Sequence, residues 1–176
     1  MKTDKTSQLL WFTFLVLGIW FSFETVDRTF YGLELVIGTA LIGLVIGLAL
    51  HKKRNPSELW DSFVDKRNFF RSQRRTTYMF FFLTIVGLLN SYAFIEEPKF
   101  LETEITEKRI SRSKSTSHIL IISPKNLGTH ELKVSKEFWN SHSVGNRLQI
   151  EVRENLLGFF VITDYKPVSN QPKRDY

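Results

Sequence analysis

The order of apolar and polar positions divides this chain into two halves. Up to residue 95 the apolar residues come in long runs, and beyond it they alternate with polar ones. LLWFTFLVLGIWFSF (9–23) carries no charge, TFYGLELVIGTALIGLVIGLAL (29–50) carries only Glu34, and TTYMFFFLTIVGLLNSYAFI (76–95) carries none. An α-helix rises 1.5 Å per residue, so roughly 20 apolar residues cross a hydrocarbon layer of about 30 Å. Three such runs are too much apolar surface for the rest of so short a chain to cover. The pattern predicts transmembrane helices over 7–23, 29–50 and 76–95, within a membrane region of residues 1–98.

Past Glu96-Glu97-Pro98 the apolar period falls to two, the period of a half-buried strand. FLETEITEKRI (100–110), SHILIIS (117–123), THELKVS (129–135), RLQIEVR (147–153) and GFFVITDY (158–165) read as strands. Turn-forming segments separate them: 111–116, Pro124 to Gly128, Ser143 to Asn146 and Asn155 to Gly158. SKEFWNSH (135–142) reads as one or two helical turns, with Phe138 and Trp139 as its apolar contacts. Five short strands with one helical insert predict a small C-terminal all-β domain over 99–168, an antiparallel barrel or roll of OB or SH3-like type. Leu148, Ile150, Val152, Phe159 and Phe160 are its expected core, and residues 169–176 form a polar tail.

Charge adds a direction to this picture. The net charge is +6, and residues 51–75 alone hold 8 basic and 3 acidic groups. Short loops rich in Lys and Arg stay on the cytoplasmic side. The expected threading is N-terminus inside, loop 24–28 outside, loop 51–75 inside and the β-domain outside, in a bacterial cytoplasmic membrane. Trp11, Trp20, Tyr31, Tyr78 and Tyr92 then fall at the two interfaces. Asn55-Pro56-Ser57-Glu58 is a helix-start signature, with a capping residue, Pro in the first turn and Glu able to reach back. It opens an amphipathic helix over 56–70, in which Trp60, Phe63, Lys66, Arg67, Phe70 and Arg71 are expected to lie on the inner leaflet against anionic headgroups. That geometry accounts for both the aromatics and the cations, so no nucleic-acid partner is expected.

Inside the spans, two polar residues and three glycines stand out. Glu34 and Asn90 sit at equal depth from the outer ends of spans two and three, and are expected to pair. Gly38, Gly43 and Gly47 line span two, and the G-x-x-x-G at 43–47 suits close helix packing, within this chain or with a partner.

Little in the β-domain points to catalysis. The chain has no cysteine, which removes disulfide and thiolate chemistry. A β-hairpin about Pro124–Gly128 pairs Ile122 with His130 and His118 with Val134, which holds the two histidines roughly 13 Å apart, too far to share a metal. No hydrolase, P-loop, zinc-protease or dinucleotide fingerprint is present. A non-enzymatic protein without cofactor or metal is expected.

The stretch VSKEFWNSHSVGNRLQIEVRENLLGFFVI (134–162), through Phe138 or Trp139, Val144-Gly145, Leu148-Ile150-Val152 and Gly158, resembles the tail of small uncharacterised bacterial membrane proteins in which a few spans carry a β-domain. More distantly the chain is similar to NfeD-like proteins, which pair spans with a terminal OB-type barrel. Neither resemblance implies a reaction. The expected function is an accessory or scaffold subunit of a membrane complex, binding a protein partner through Lys108, Arg109, Arg112 and Lys114. The alternatives are an envelope binding protein of stress or immunity type, and a small transporter or channel component using Glu34.

Overall fold

The computed structural model describes residues 5–54, 69–112 and 116–168, which form two compact units. The first is helical and runs to Val26, then from Tyr31 to Ala93. The second is a β-unit made from Phe94 onward together with Asp27–Phe30.

The helical unit contains α1 (Lys5–Arg28), α2 (Gly32–Arg54) and α3 (Phe69–Tyr92). Two of these, over Leu9–Arg28 and Gly32–Leu50, are long and apolar enough to cross a membrane, while the apolar part of α3 is the shorter Thr76–Tyr92. In each of the two long stretches only 17% of the residues are buried. A core helix of a water-soluble protein would be mostly covered, whereas here Phe12, Ile19, Trp20, Ile42 and Val45 stand exposed. Two hydroxyls bond back to their own helix: Ser22 Oγ donates to Gly18 O at 2.6 Å and Thr84 Oγ1 to Phe80 O at 2.8 Å.

Close packing in this unit runs over small residues of both α1 and α2 against α3. A Cβ placed on Gly18 would lie 2.9 Å from Phe80 O, and one on Gly43 would lie 2.7 Å from Met79 Cα. Nearby, Phe14 meets Phe81 edge-on at 5.1 Å and Trp11 Nε1 donates to Thr76 Oγ1 at 3.3 Å. Gly43 is therefore a packing glycine within the chain, and Gly47 is also buried. Gly38 has nothing within 4 Å of its would-be Cβ. Gly43→Ala is expected to destabilise the helical unit by about 1–3 kcal/mol through overpacking. Gly38→Ala is expected to be neutral, or to stabilise by about 0.5–1 kcal/mol through helix propensity. Thermal unfolding of the two variants in detergent, followed by far-ultraviolet circular dichroism, compares them directly.

In the β-unit the strands are β1 (Lys99–Arg112), β2 (Thr116–Ile122), β3 (His130–Val134), β4 (Arg147–Glu154) and β5 (Phe160–Pro167), with the short helix α4 (Lys136–Ser141) before β4. All pairings are antiparallel and the order is β3-β2-β1-β4-β5. The long β1 pairs with β4 over Lys99–Glu104 and with β2 over Ile105–Arg112, and a bulge between Ile105 and Glu107 marks the change of partner. One strand shared lengthwise by two neighbours and bent at a bulge curls the sheet into a half-barrel. The hairpin register is as the spacing predicts, Ile122 opposite His130 and His118 opposite Val134.

The period-two pattern becomes the core. Leu148, Ile150 and Val152 of β4 are at most 1% exposed and pack with Ile105, Leu120, Ile122, Leu132 and Ile162. Ile119 and Ile121 on the other face of β2 are buried too, which is why that strand reads as a continuous apolar run. Ser135 caps α4 by accepting from Phe138 N at 3.2 Å, and Trp139 Nε1 donates to Ile119 O at 3.3 Å.

Several boundaries differ from expectation. The expected loop 51–75 is helical at both ends, since α2 runs on to Arg54 and α3 begins at Phe69. Residues 24–28, expected as a loop, continue α1 to Arg28. Span two was expected to begin at Thr29, but Thr29 and Phe30 belong to the β-unit and α2 begins at Gly32, after Tyr31 at φ 59°. The third helix stops at Tyr92 and not at Ile95, because Phe94 and Ile95 are extended: Phe94 bridges Asn155 and Ile95 N donates to Glu154 O at 3.0 Å. The expected amphipathic helix 56–70 lies almost wholly outside the described residues.

Candidate functional site: the seam between the edge strands

A five-stranded half-barrel leaves two edges, here β3 and β5. Residues 27–30 reach both. Phe30 N donates to Phe160 O at 3.0 Å and Thr29 bridges Val161, so this short segment adds to the edge of β5. On the other side the His130 ring nitrogen Nε2 lies 3.1 Å from Asp27 O, and Lys133 Nζ donates to both carboxylate oxygens of Asp27 at 2.6 and 2.7 Å. Phe30, 2% exposed, enters the core and packs against the His130 ring at a centroid distance of 5.0 Å. Beside this clasp a groove of about 280 Å³ is lined by Asp27, Arg28, Leu132, Lys133, Ile162, Thr163, Asp164 and Tyr165.

The electrostatics of the seam follow from its burial. Desolvation pushes the His130 imidazole below its ordinary pKa of 6.5, opposed by the Asp27 carbonyl and by the charges of Asp27 and Glu131. His130 is thus held neutral, with Nε2–H donating to the Asp27 carbonyl. A group with a lowered pKa in the fold leaves stability unaffected above the unfolded value and removes it as pH falls, because the unfolded chain takes up the proton first. The His130 contribution is expected to be constant above about pH 7 and to weaken the β-unit as pH drops below 6.5, the ordinary imidazole value. A His130→Gln variant is expected to flatten that slope in denaturant titrations carried from pH 7 to well below 6.5. Tyr165, at the rim of the groove, is raised above its ordinary pKa, chiefly by burial and secondarily by Asp164.

The residues singled out from the sequence are not brought together. Lys108 is a structural cation: its ammonium donates to Trp139 O at 2.6 Å and to His142 O, and lies 3.9 Å from the Trp139 ring centroid. It holds the end of α4, so its charge is engaged inside the β-unit and not offered to a partner. Arg109 is exposed and pairs with Glu131 at 3.0 Å and Glu107 at 3.4 Å, contacts that contribute little in water. Arg112 is exposed, and Lys114 lies outside the described residues. In the helical unit Glu34 is exposed in the first turn of α2, and Asn90 is 1% exposed. Phe70 and Arg71 fall in the first turn of α3, while Trp60, Phe63, Lys66 and Arg67 lie outside the described residues.

His118 packs against Trp139 at 5.5 Å and His142 stacks on Phe138 at 4.1 Å, so the three histidines serve three separate local contacts. A second groove, about 350 Å³, lies beside Ser141, His142, Asn146 and Arg147. Both grooves are open to solvent and polar at the rim. Comparison with protein-family models, curated proteins and solved structures finds no match, and the functional reading rests on the chain's own residues.

Proposed function

We propose that this chain is a non-enzymatic integral membrane protein, an accessory or scaffold subunit that presents its β-unit to a protein partner. α1, α2 and α3 are its three spans, the basic loop 51–75 is cytoplasmic, and the β-unit lies on the outer face of the cytoplasmic membrane. The observation that carries this reading is the uncovered apolar surface of α1 and α2, only 17% of whose spanning residues are buried. Lipid is the solvent in which such helices are stable. The strand order β3-β2-β1-β4-β5, with a helix between β3 and β4, has the connectivity of an opened OB-type barrel, in line with the resemblance to membrane proteins that carry one. A fold of that type is a binding platform in many settings, and function lives in its surface.

The β-unit takes in Asp27–Phe30, from the end of α1 and the α1–α2 junction, and then the chain from Phe94 onward. Affinity purification from native membranes in mild detergent, with mass spectrometry and native mass determination, tests the proposal. One or two unrelated proteins in fixed ratio are expected. A chain that emerges alone, as monomer or homo-oligomer, overturns the subunit reading.

A further inference from the structure

The turn between β4 and β5 is apolar at its tip. A hairpin tip in water is normally made of polar residues, Gly and Pro. Here the sequence is Asn155-Leu156-Leu157-Gly158-Phe159, and Leu156 is 60% exposed. The turn is rigid: Asn155 Oδ1 accepts from Leu157 N at 2.9 Å and Phe159 N at 3.0 Å, and Gly158 N donates to Asn155 O at 2.9 Å. Leu156 thus stands on a turn in which the amides of Leu157, Gly158 and Phe159 are all bonded to Asn155.

The neighbours of this tip within the β-unit are the residues that adjoin the apolar helices in sequence. Phe94 bridges Asn155 and Ile95 N donates to Glu154 O, and one residue, Ala93, separates Phe94 from the end of α3. Thr29 and Phe30 pair with Val161 and Phe160 at the start of β5, and directly follow α1. Ile95 is 59% exposed. The Arg153 guanidinium lies 5.6 Å from the Phe94 ring centroid, and the Lys99 ammonium 5.9 Å from that of Phe160. An exposed leucine and isoleucine, with two cation–ring pairs on the residues next to them, have the composition of a membrane interface.

We infer that the β4–β5 tip, through Leu156 and Ile95, dips into the outer leaflet of the bilayer. The inference rests on the membrane reading above. The occupant of this apolar surface is lipid, because the chain on either side of the contacts reaches the apolar helices within one to three residues. The opposite end of β4 supplies the contrast. Val144, in the Ser143–Asn146 turn, is 56% exposed. Between it and Leu156 run the 8 residues of β4, so by strand rise they lie over 20 Å apart.

The chain has no cysteine, so single substitutions can be labelled without altering the background. Leu156→Cys, Ile95→Cys, Val144→Cys and Ile42→Cys variants of the full chain carry a nitroxide in vesicles of phosphatidylethanolamine and phosphatidylglycerol. Collision with oxygen and with a water-soluble nickel chelate is read at each. Leu156→Cys and Ile95→Cys are expected to favour oxygen, as Ile42→Cys in α2 does, while Val144→Cys favours nickel. If Leu156→Cys reads like Val144→Cys while Ile42→Cys favours oxygen, the tip is in water and the inference fails with the membrane reading intact. Low collision with both agents at Leu156→Cys means protein covers the tip, and also overturns it. Nickel-favoured collision at Ile42→Cys overturns the membrane reading itself.

Discussion

Replacing Phe30 by Ala is expected to loosen the β-unit by about 3–5 kcal/mol, the usual cost of deleting a buried phenyl ring. Phe30 is 2% exposed and belongs to the core formed by Ile105, Leu120, Leu148 and Ile150, yet it arrives from the junction of α1 and α2. Removing it leaves a cavity bounded by the His130 ring, and it weakens the hold on residues 27–30, which keep the Phe30 N–Phe160 O bond, the Thr29–Val161 bridge and the Asp27 contacts. The Lys133–Asp27 pair cannot make up the loss, since both side chains are at least a third exposed and such pairs contribute about 0–1 kcal/mol. Amide hydrogen exchange at Val161 and Ile162 is the direct measurement. Opening free energy converts to protection at a factor of ten per 1.36 kcal/mol, so protection there is expected to fall by about two to four powers of ten. An unchanged protection factor would show that the ring is dispensable to the core. The same reasoning applies to an excised fragment beginning at Phe94: it lacks its own core residue and is expected to be less stable than the β-unit in the full chain.

The contrast between what the sequence discloses and what it hides runs through this residue. β4 could be read because Leu148, Ile150 and Val152 alternate with Gln149, Glu151 and Arg153, and β2 because four buried residues in a row need cover on both faces. These are local signals, set by the pleat of one strand. Phe30 has no such signal. It stands after Asp27 and Arg28, where a short charged stretch reads as a loop between spans, and its partners lie far along the chain: Asp27 meets His130 and Lys133 across 103 and 106 positions. A period cannot report a contact at that separation. Lys108 misleads for a related reason. In a run of cations it reads as solvated, but the bulge in β1 and the placement of α4 bring Trp139 beneath it and two carbonyls around it. The end of α3 was overextended because Ala93-Phe94-Ile95 continues the apolar run, while its backbone hydrogen bonds go to β4.

Asn155 carries the second large expectation. It is fully buried, and its side-chain oxygen receives two backbone amides of the turn that it begins. Asn155→Ala removes that acceptor and strands both N–H groups in a place with little water. An orphaned buried donor costs about 1–3 kcal/mol, so the variant is expected to lose about 2–4 kcal/mol, the two amides being only partly enclosed. Leu156→Ala, one residue on, truncates an exposed side chain and is expected to change stability in detergent by no more than about 0.5 kcal/mol. Denaturant titration of both variants, followed by the fluorescence of Trp139 in a background with the other three tryptophans replaced, separates the two roles. Equal losses would mean that the turn is held by its apolar contacts and not by the asparagine. The expected inequality has a functional sense: a tip that meets lipid with its leucine must satisfy its amides internally, because a bilayer offers them no partner. The buried asparagine does this for the amides of Leu157, Gly158 and Phe159, and the same residue bridges to Phe94, where the chain has just left α3.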